Sequence, residues 1–166
     1  MTERPGKDEY YLGIAEAVAR RSTCLRRQYG AVIVNRDQII STGYVGAPRG
    51  SRNCIDIGVC PRQKANIPRG ERYELCRSVH AEMNAIIHAA RSDMVGGTLY
   101  LVGMEADGGR YVENAEPCKL CKRMIINAGI ERVVARQGQD RLASFDVERW
   151  IKEEDLDLTS SSARGY

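Results

Sequence analysis

His80 and Glu82 stand two residues apart where an apolar helical pattern begins, and Cys118 and Cys121 stand three apart just behind Pro117. One imidazole and two thiolates are zinc ligands, and three protein ligands leave a fourth tetrahedral position for water. A Cys-x-x-Cys pair in the first turn of a helix can present both sulfurs to one ion, and the helix N-terminus favours thiolate over thiol. Zinc lowers the pKa of bound water towards neutrality, and Glu82, beside the metal rather than on it, is placed to receive the proton. Together these residues specify a hydrolytic centre. Each half taken singly has a plainer reading. Cys118 and Cys121 could be half of a zinc ribbon or a redox pair, His80 a satisfied core histidine, and Glu82 a surface residue near a structural zinc.

Four further cysteines, Cys24, Cys54, Cys60 and Cys76, border or occupy residues 45–79. Four thiolates make a closed tetrahedral structural zinc site. In a segment with little core of its own, such a site can contribute on the order of 10 kcal/mol of folding energy. Free buried cysteines or a disulfide fit the same spacing. The segment is also basic: Arg49, Arg52, Arg62, Lys64, Arg69, Arg72 and Arg77 face only Asp56, Glu71 and Glu74. As a group they offer guanidinium forks for a nucleotide phosphate; singly, each reads as a solvated loop residue. Arg91 is a second nucleotide-effector or subunit-contact candidate, or a partner for a helix dipole. His88 carries no chemistry in this reading.

The elements that must position these groups alternate between helix and strand. Tyr11, Ile14, Ala15, Val18 and Ala19 form a stripe that predicts a helix over residues 8–21. Strands over residues 30–35 and 39–44 form an antiparallel hairpin around a tight connection. Residues 45–79 are rich in glycine and proline without a sustained period, and a long irregular segment inside a compact domain is usually functional or disordered. A helix over residues 81–92 buries Met83, Ile86, Ile87 and Ala90 and stops at Gly96 and Gly97. A strand follows over residues 98–102, then an exposed excursion or small hairpin over 105–116. The next helix runs from Cys118 to Ala128, with Gly129 as its C′ residue. A strand over residues 131–135 and a last amphipathic helix over 140–153, using Leu142, Phe145, Val147, Trp150 and Ile151, complete the domain. Residues 159–166 form a flexible tail behind a single domain over 1–158. This order describes an α/β layer protein, with the strands at 98 and 131 parallel across a helical crossover.

The chain has 166 residues, 43% of them hydrophobic and 28% charged, which suits one domain with a sizeable core. No apolar run approaches the roughly 18 residues of a membrane span, and the first residues lack a signal-peptide core, so a cytoplasmic location is expected. In that reducing setting six cysteines suit metal ligation or catalysis better than a disulfide framework. A net charge of +3 suits a small anionic ligand better than duplex nucleic acid.

The pairing of His-x-Glu with Pro-Cys-x-x-Cys is the known mark of zinc nucleobase deaminases. The chain resembles the cytidine-deaminase-like superfamily and, within it, the deoxycytidylate (dCMP) deaminases. The resemblance is carried by His80-Ala81-Glu82-Met83-Asn84-Ala85-Ile86, by Pro117-Cys118-Lys119-Leu120-Cys121 and by Ile125-Ile126-Asn127-Ala128-Gly129-Ile130. It extends to Gly30-Ala31-Val32-Ile33-Val34 and to Gly43-Tyr44-Val45-Gly46-Ala47-Pro48-Arg49-Gly50, and runs from the first helix to about Val134. It implies a three-layer α/β/α fold with a mixed sheet of about five strands. It implies zinc on His80, Cys118 and Cys121, and hydroxide attack on C4 of cytosine, with Glu82 protonating N3 and then the departing amine. The product would be dUMP, a thymidylate precursor. Ala81, Val45, Gly46 and Arg49 become substrate contacts, dCTP and dTTP become effectors, and a homohexamer becomes the expected assembly. Some relatives carry an additional zinc, in line with a structural site on the four remaining cysteines. One position departs from the family pattern: the stretch usually reads Gly-Tyr-Asn-Gly, and Val45 replaces an asparagine that lies near the nucleoside. Valine has no side-chain hydrogen bond to give, so substrate contact must differ there. Deamination of another base (a tRNA adenosine, cytosine or guanine), and a non-catalytic zinc-held nucleic-acid-binding module, are the competing functions. The intact Glu82 argues against the second.

Overall fold

The computed structural model describes residues 3–153, so the expected tail and the last residues of the expected domain lie outside the described residues. Helix α1 (Lys7–Ala19) leads into β1 (Arg27–Asn35) and β2 (Gln38–Tyr44), which pair antiparallel with a bulge between Ile33 and Val34. Short helices α2 (Cys54–Ile57) and α3 (Pro61–Lys64) and a 3-10 turn at Tyr73–Leu75 give the glycine- and proline-rich segment its local order. Then come α4 (Ala81–Ile87), α5 (Arg91–Met94), β3 (Thr98–Glu105), α6 (Lys119–Ala128), β4 (Arg132–Arg136), β5 (Leu142–Asp146) and α7 (Val147–Lys152).

The five strands form one mixed sheet in the order β2-β1-β3-β4-β5, with β3 and β4 parallel and the other pairs antiparallel. The parallel pair is the one expected from the crossover through α6. Alternating side chains of β1 and β3 go to opposite faces, and each face has its own core. Ala31, Ile33, Leu99 and Leu101 pack with Ala81 and Ala85 of α4, Ile125 of α6 and Trp150 of α7. Val32, Val34, Tyr100 and Val102 pack with Tyr11, Leu12, Ala15 and Ala19 of α1. This is the expected three-layer α/β/α arrangement.

Close backbone approach fixes both helical layers. A Cβ on Gly43 would lie 2.3 Å from the Ala81 carbonyl oxygen and 2.3 Å from the Ala85 nitrogen. A Cβ on Gly30 would lie 2.2 Å from the Ala15 carbonyl oxygen. These glycines let α4 and α1 lie directly on the hairpin.

Two expectations are corrected. The helix expected over 81–92 breaks at His88 into α4 and α5, and its buried side is Ala81, Glu82 and Ala85, while Ile87 is 66% exposed. The small residues face inward because the close contact with Gly43 admits nothing larger. The helix expected over 140–153 exists only from Val147. Leu142 and Phe145 belong to β5, which alternates between exposed and half-buried positions beside β4. The Asp146 side chain accepts from the Glu148 backbone N–H and starts α7 there. The excursion after β3 is a compact return in which Tyr111 bridges back to Met104. Among the described residues, no helix is long and apolar enough to cross a membrane.

Candidate active site

His80 and Cys118 are the N-cap residues of α4 and α6, both in extended backbone conformation. Because α4 and α6 lie on the same sheet face, their N-termini bring His80, Cys118 and Cys121 together. His80 Nδ1 lies 3.5 Å from Cys118 Sγ and 3.4 Å from Cys121 Sγ. Ligands at zinc–nitrogen and zinc–sulfur bond lengths in a tetrahedron are separated by about 3.5 Å, so the donor set fits one zinc ion. Among the described residues it is the one group of three potential metal ligands gathered within 4.8 Å.

Electrostatics agree with that assignment. The Cys121 thiol donates to Cys118 and, with help from His80 and against burial, holds the Cys118 thiol well below its ordinary value. The same contact, with burial and the nearby Glu82 carboxylate, pushes Cys121 up. Two thiols that compete for one negative charge are the situation that a divalent cation resolves. Burial lowers His80, but Cys118 and Glu82 outweigh it and leave the imidazole above its ordinary value. Glu82 is 5% exposed, and burial pushes its carboxyl up against the opposing pull of His80. A carboxyl in that state holds a proton more tightly than an exposed one, which suits a group that must carry a proton between water and substrate.

A cavity of about 160 Å³ opens onto this group, lined by His80, Ala81, Glu82, Cys118, Tyr29 and Val45 among others. A cavity of about 150 Å³ accommodates a benzene ring, so one pyrimidine ring fits. Arg27, Arg62, Arg69 and Arg77 also border it, as do Cys24, Cys54, Cys60 and Cys76. All six cysteines are free. Burial raises the Cys54 thiol; Ser78 opposes it, and the proximity of Cys24, Cys76 and Cys60 raises it further.

Other expected site residues lie elsewhere. Gly46 bridges to Val79 in the backbone and Arg49 reaches His88 Nε2 at 2.9 Å; neither borders the cavity. His88, assigned no chemistry, thus ties Arg49 to the Thr42 carbonyl. Arg91 opens α5 rather than closing α4, and donates to the Asn127 carbonyl near the C-terminus of α6. It therefore serves a helix end, though not that of α4. The basic segment is less free than its composition suggests. Arg62 is buried, donates to the Pro68 and Glu71 carbonyls, and covers the Tyr73 ring at 4.9 Å. Tyr73 in turn meets the His80 ring edge-on, 4.9 Å between centroids. Arg72 pairs with Glu74. Tyr29, Arg27, Tyr73 and Glu116 are cavity residues that the sequence did not single out. Only strand alternation could have found the first two, because Arg27 and Tyr29 share a face of β1 with Ala31.

The model for the cytidine and deoxycytidylate deaminase zinc-binding region matches residues 5–137. The chain belongs to that family. It is 41% identical over 136 residues to the deoxycytidylate deaminase of Mycobacterium phage D29, covering 79% of this chain and 94% of that protein. It is 37% identical over 131 residues to the deoxycytidylate deaminase of Schizosaccharomyces pombe, covering 79% of this chain but 37% of the yeast protein. Among solved structures, the dCMP deaminase of cyanophage S-TIM5 in complex with dCMP and dUMP superposes with a TM-score of 0.58 at 26% identity, covering 81% of this chain and 84% of that one. Cytidine deaminase from Burkholderia pseudomallei, at 15% identity, shares the fold with a TM-score of 0.52 over 90% of this chain and 95% of its own. The family assignment and the His80, Cys118 and Cys121 set together make this a zinc-type deaminase.

Proposed function

We propose that the chain converts dCMP and water to dUMP and ammonia. The observation that carries this reading is His80 Nδ1 within 3.5 Å of both sulfurs, with buried Glu82 lining the same ring-sized cavity. His80, Cys118 and Cys121 would hold a zinc ion, which when bound makes hydroxide available from water near neutral pH. Glu82 takes one proton of the attacking water and passes it to N3 as the nucleophile adds to C4, then takes the proton of the hydroxyl left on C4 and delivers it to the departing amine, so that the carbonyl and ammonia form. Ala81 and Val45 form the wall against which the pyrimidine lies, and Tyr73 braces the His80 ring.

The same reading assigns Cys24, Cys54, Cys60 and Cys76 to a second, structural zinc. Support comes from four free thiols that border the cavity in a segment with little core; among the described residues no three of their sulfurs gather within 4.8 Å, so the ion would have to draw them together. Regulation by dCTP and dTTP and a hexameric assembly follow from the family resemblance. Ammonia release from dCMP, CMP, deoxycytidine, cytosine, adenosine and guanine tests the substrate. dCMP is expected to lead, and preference for another base would reassign it. A rate unchanged by dCTP and dTTP would remove the regulatory part.

A further inference from the structure

We propose that Arg62 is a positioning residue for the metal centre, acting through Tyr73 on the ring of His80. The inference rests on the zinc assignment above and deepens it, taking the bracing of His80 by Tyr73 back to its source. A histidine on zinc is ordinarily oriented by a carboxylate or carbonyl on its other ring nitrogen. Here both hydrogen-bond-range contacts of the His80 ring among the described residues use Nδ1, the nitrogen that faces Cys118 and Cys121. What meets the ring besides is Tyr73, 4.9 Å away between centroids and at 85°, an edge-to-face arrangement of the kind aromatic pairs prefer.

Tyr73 is held in turn by Arg62. The segment after α3 folds back on that helix through three residues in left-handed conformation, Asn66, Gly70 and Arg72. Arg62 gathers the folded segment. Its carbonyl accepts from the Ile67 N–H at 2.9 Å, and its Nη2 donates to the Pro68 and Glu71 carbonyls at 3.1 and 2.6 Å. Its guanidinium then covers the Tyr73 ring at 4.9 Å. Arg62 is 7% exposed, its partners are carbonyls and a ring face, and its Nε is buried without a hydrogen-bond partner. A buried cation is a costly way to fill space. What it provides here is a rigid planar fork on the backbone and a cation–π face on the tyrosine, which together leave the Tyr73 ring one seat. Arg62, Tyr73 and His80 all border the cavity, so this chain of contacts ends at the metal site.

The chain has two histidines, so isotope-labelled histidine gives ring-nitrogen NMR signals from His80 and His88 alone. Zinc affinity is measured by chelator competition read on the His80 signal, in the parent, Arg62→Met, Tyr73→Leu, Tyr73→Phe and the double Arg62→Met/Tyr73→Leu protein. Methionine keeps the bulk of Arg62 and removes its charge and its fork. Arg62→Met and Tyr73→Leu are each expected to weaken zinc binding about tenfold and to shift or broaden the His80 signal. Because Arg62 acts through Tyr73, the double variant is expected to bind zinc within about twofold of Tyr73→Leu. Tyr73→Phe, which keeps the ring, is expected to retain the parental signal and affinity. Losses that add in the double variant, a parental signal and affinity in Arg62→Met, or a loss in Tyr73→Phe equal to that in Tyr73→Leu would each overturn the proposal. Arg62→Lys covers the case in which Arg62→Met does not fold: it loses the planar fork alone and is expected to show the same signal change to a smaller extent, and an unchanged signal and affinity there overturn the proposal as well. A parent protein whose His80 signal does not respond to zinc refutes the zinc assignment and this inference with it.

Discussion

Glu82 lies in the first turn of α4, two residues from His80, and faces Cys121. Replacing it with alanine removes the proton carrier without removing a metal ligand. Glu82→Ala is therefore expected to lower kcat by roughly 10²- to 10⁴-fold with zinc content unchanged by metal analysis. His80→Ala and Cys118→Ser are expected to lower both zinc content and Tm, because metal binding contributes folding free energy. A His80→Ala or Cys118→Ser protein that kept its full zinc content would place the ion elsewhere. These residues could be read from the chain because each belongs to a short spacing that opens a helix. Tyr29 and Arg27 could not, because they reach the cavity only through the β1–β3 register and the gap at Gly103. Tyr73 reaches His80 through the glycine- and proline-rich segment, whose path no local period encodes.

At the scale of elements, the position of α4 depends on Gly43. A methyl group there meets the Ala81 carbonyl and the Ala85 nitrogen, backbone atoms that cannot rotate away. Gly43→Ala is expected to destabilise by about 1–3 kcal/mol and, by lifting α4, to reduce zinc affinity as well; thermal melts and zinc titration measure the two effects. On the opposite face, Asp8 of α1 clasps Arg132 of β4 at 2.7 and 3.1 Å. Arg132 holds the Asp8 carboxyl below its usual range, helped by Tyr100 and opposed by burial. That stabilisation is complete above the unfolded value near about pH 4 and is lost as the pH falls through the lower folded value. Both side chains are partly exposed, so Asp8→Asn is expected to cost about 1 kcal/mol or less, a Tm drop of roughly 2–4 °C at pH 7, with the gap closing in acid. A gap independent of pH would assign the effect to packing. The same scale explains where the chain was hard to read. Leu142 and Phe145 fit the helical stripe of α7, but the residues from Leu142 to Asp146 also alternate at the strand period. Pairing with β4 decided between them, and Asp146, a cap residue ahead of Val147, was the local signal for the boundary.

Across the whole molecule, α4 and α6 cross one sheet face so that both N-termini end at the cavity, while α1 covers the other face and leaves the site untouched. Legibility followed this division. The layer order and the parallel β3–β4 pair came from element alternation, whereas the cavity wall came from contacts between distant segments. Metal analysis of the pure protein separates the two zinc assignments: two ions per chain are expected, falling to one in a Cys54→Ser/Cys76→Ser variant, and one ion per chain in the parent would assign those cysteines to packing alone. The central claim meets its most direct test in the conversion of dCMP by the purified zinc-loaded protein, followed by dUMP formation with Glu82→Ala beside it. The account predicts stoichiometric dUMP and ammonia from the parent and almost none from Glu82→Ala at equal zinc content. Absence of dUMP from the parent, or turnover that survives in Glu82→Ala, would contradict it.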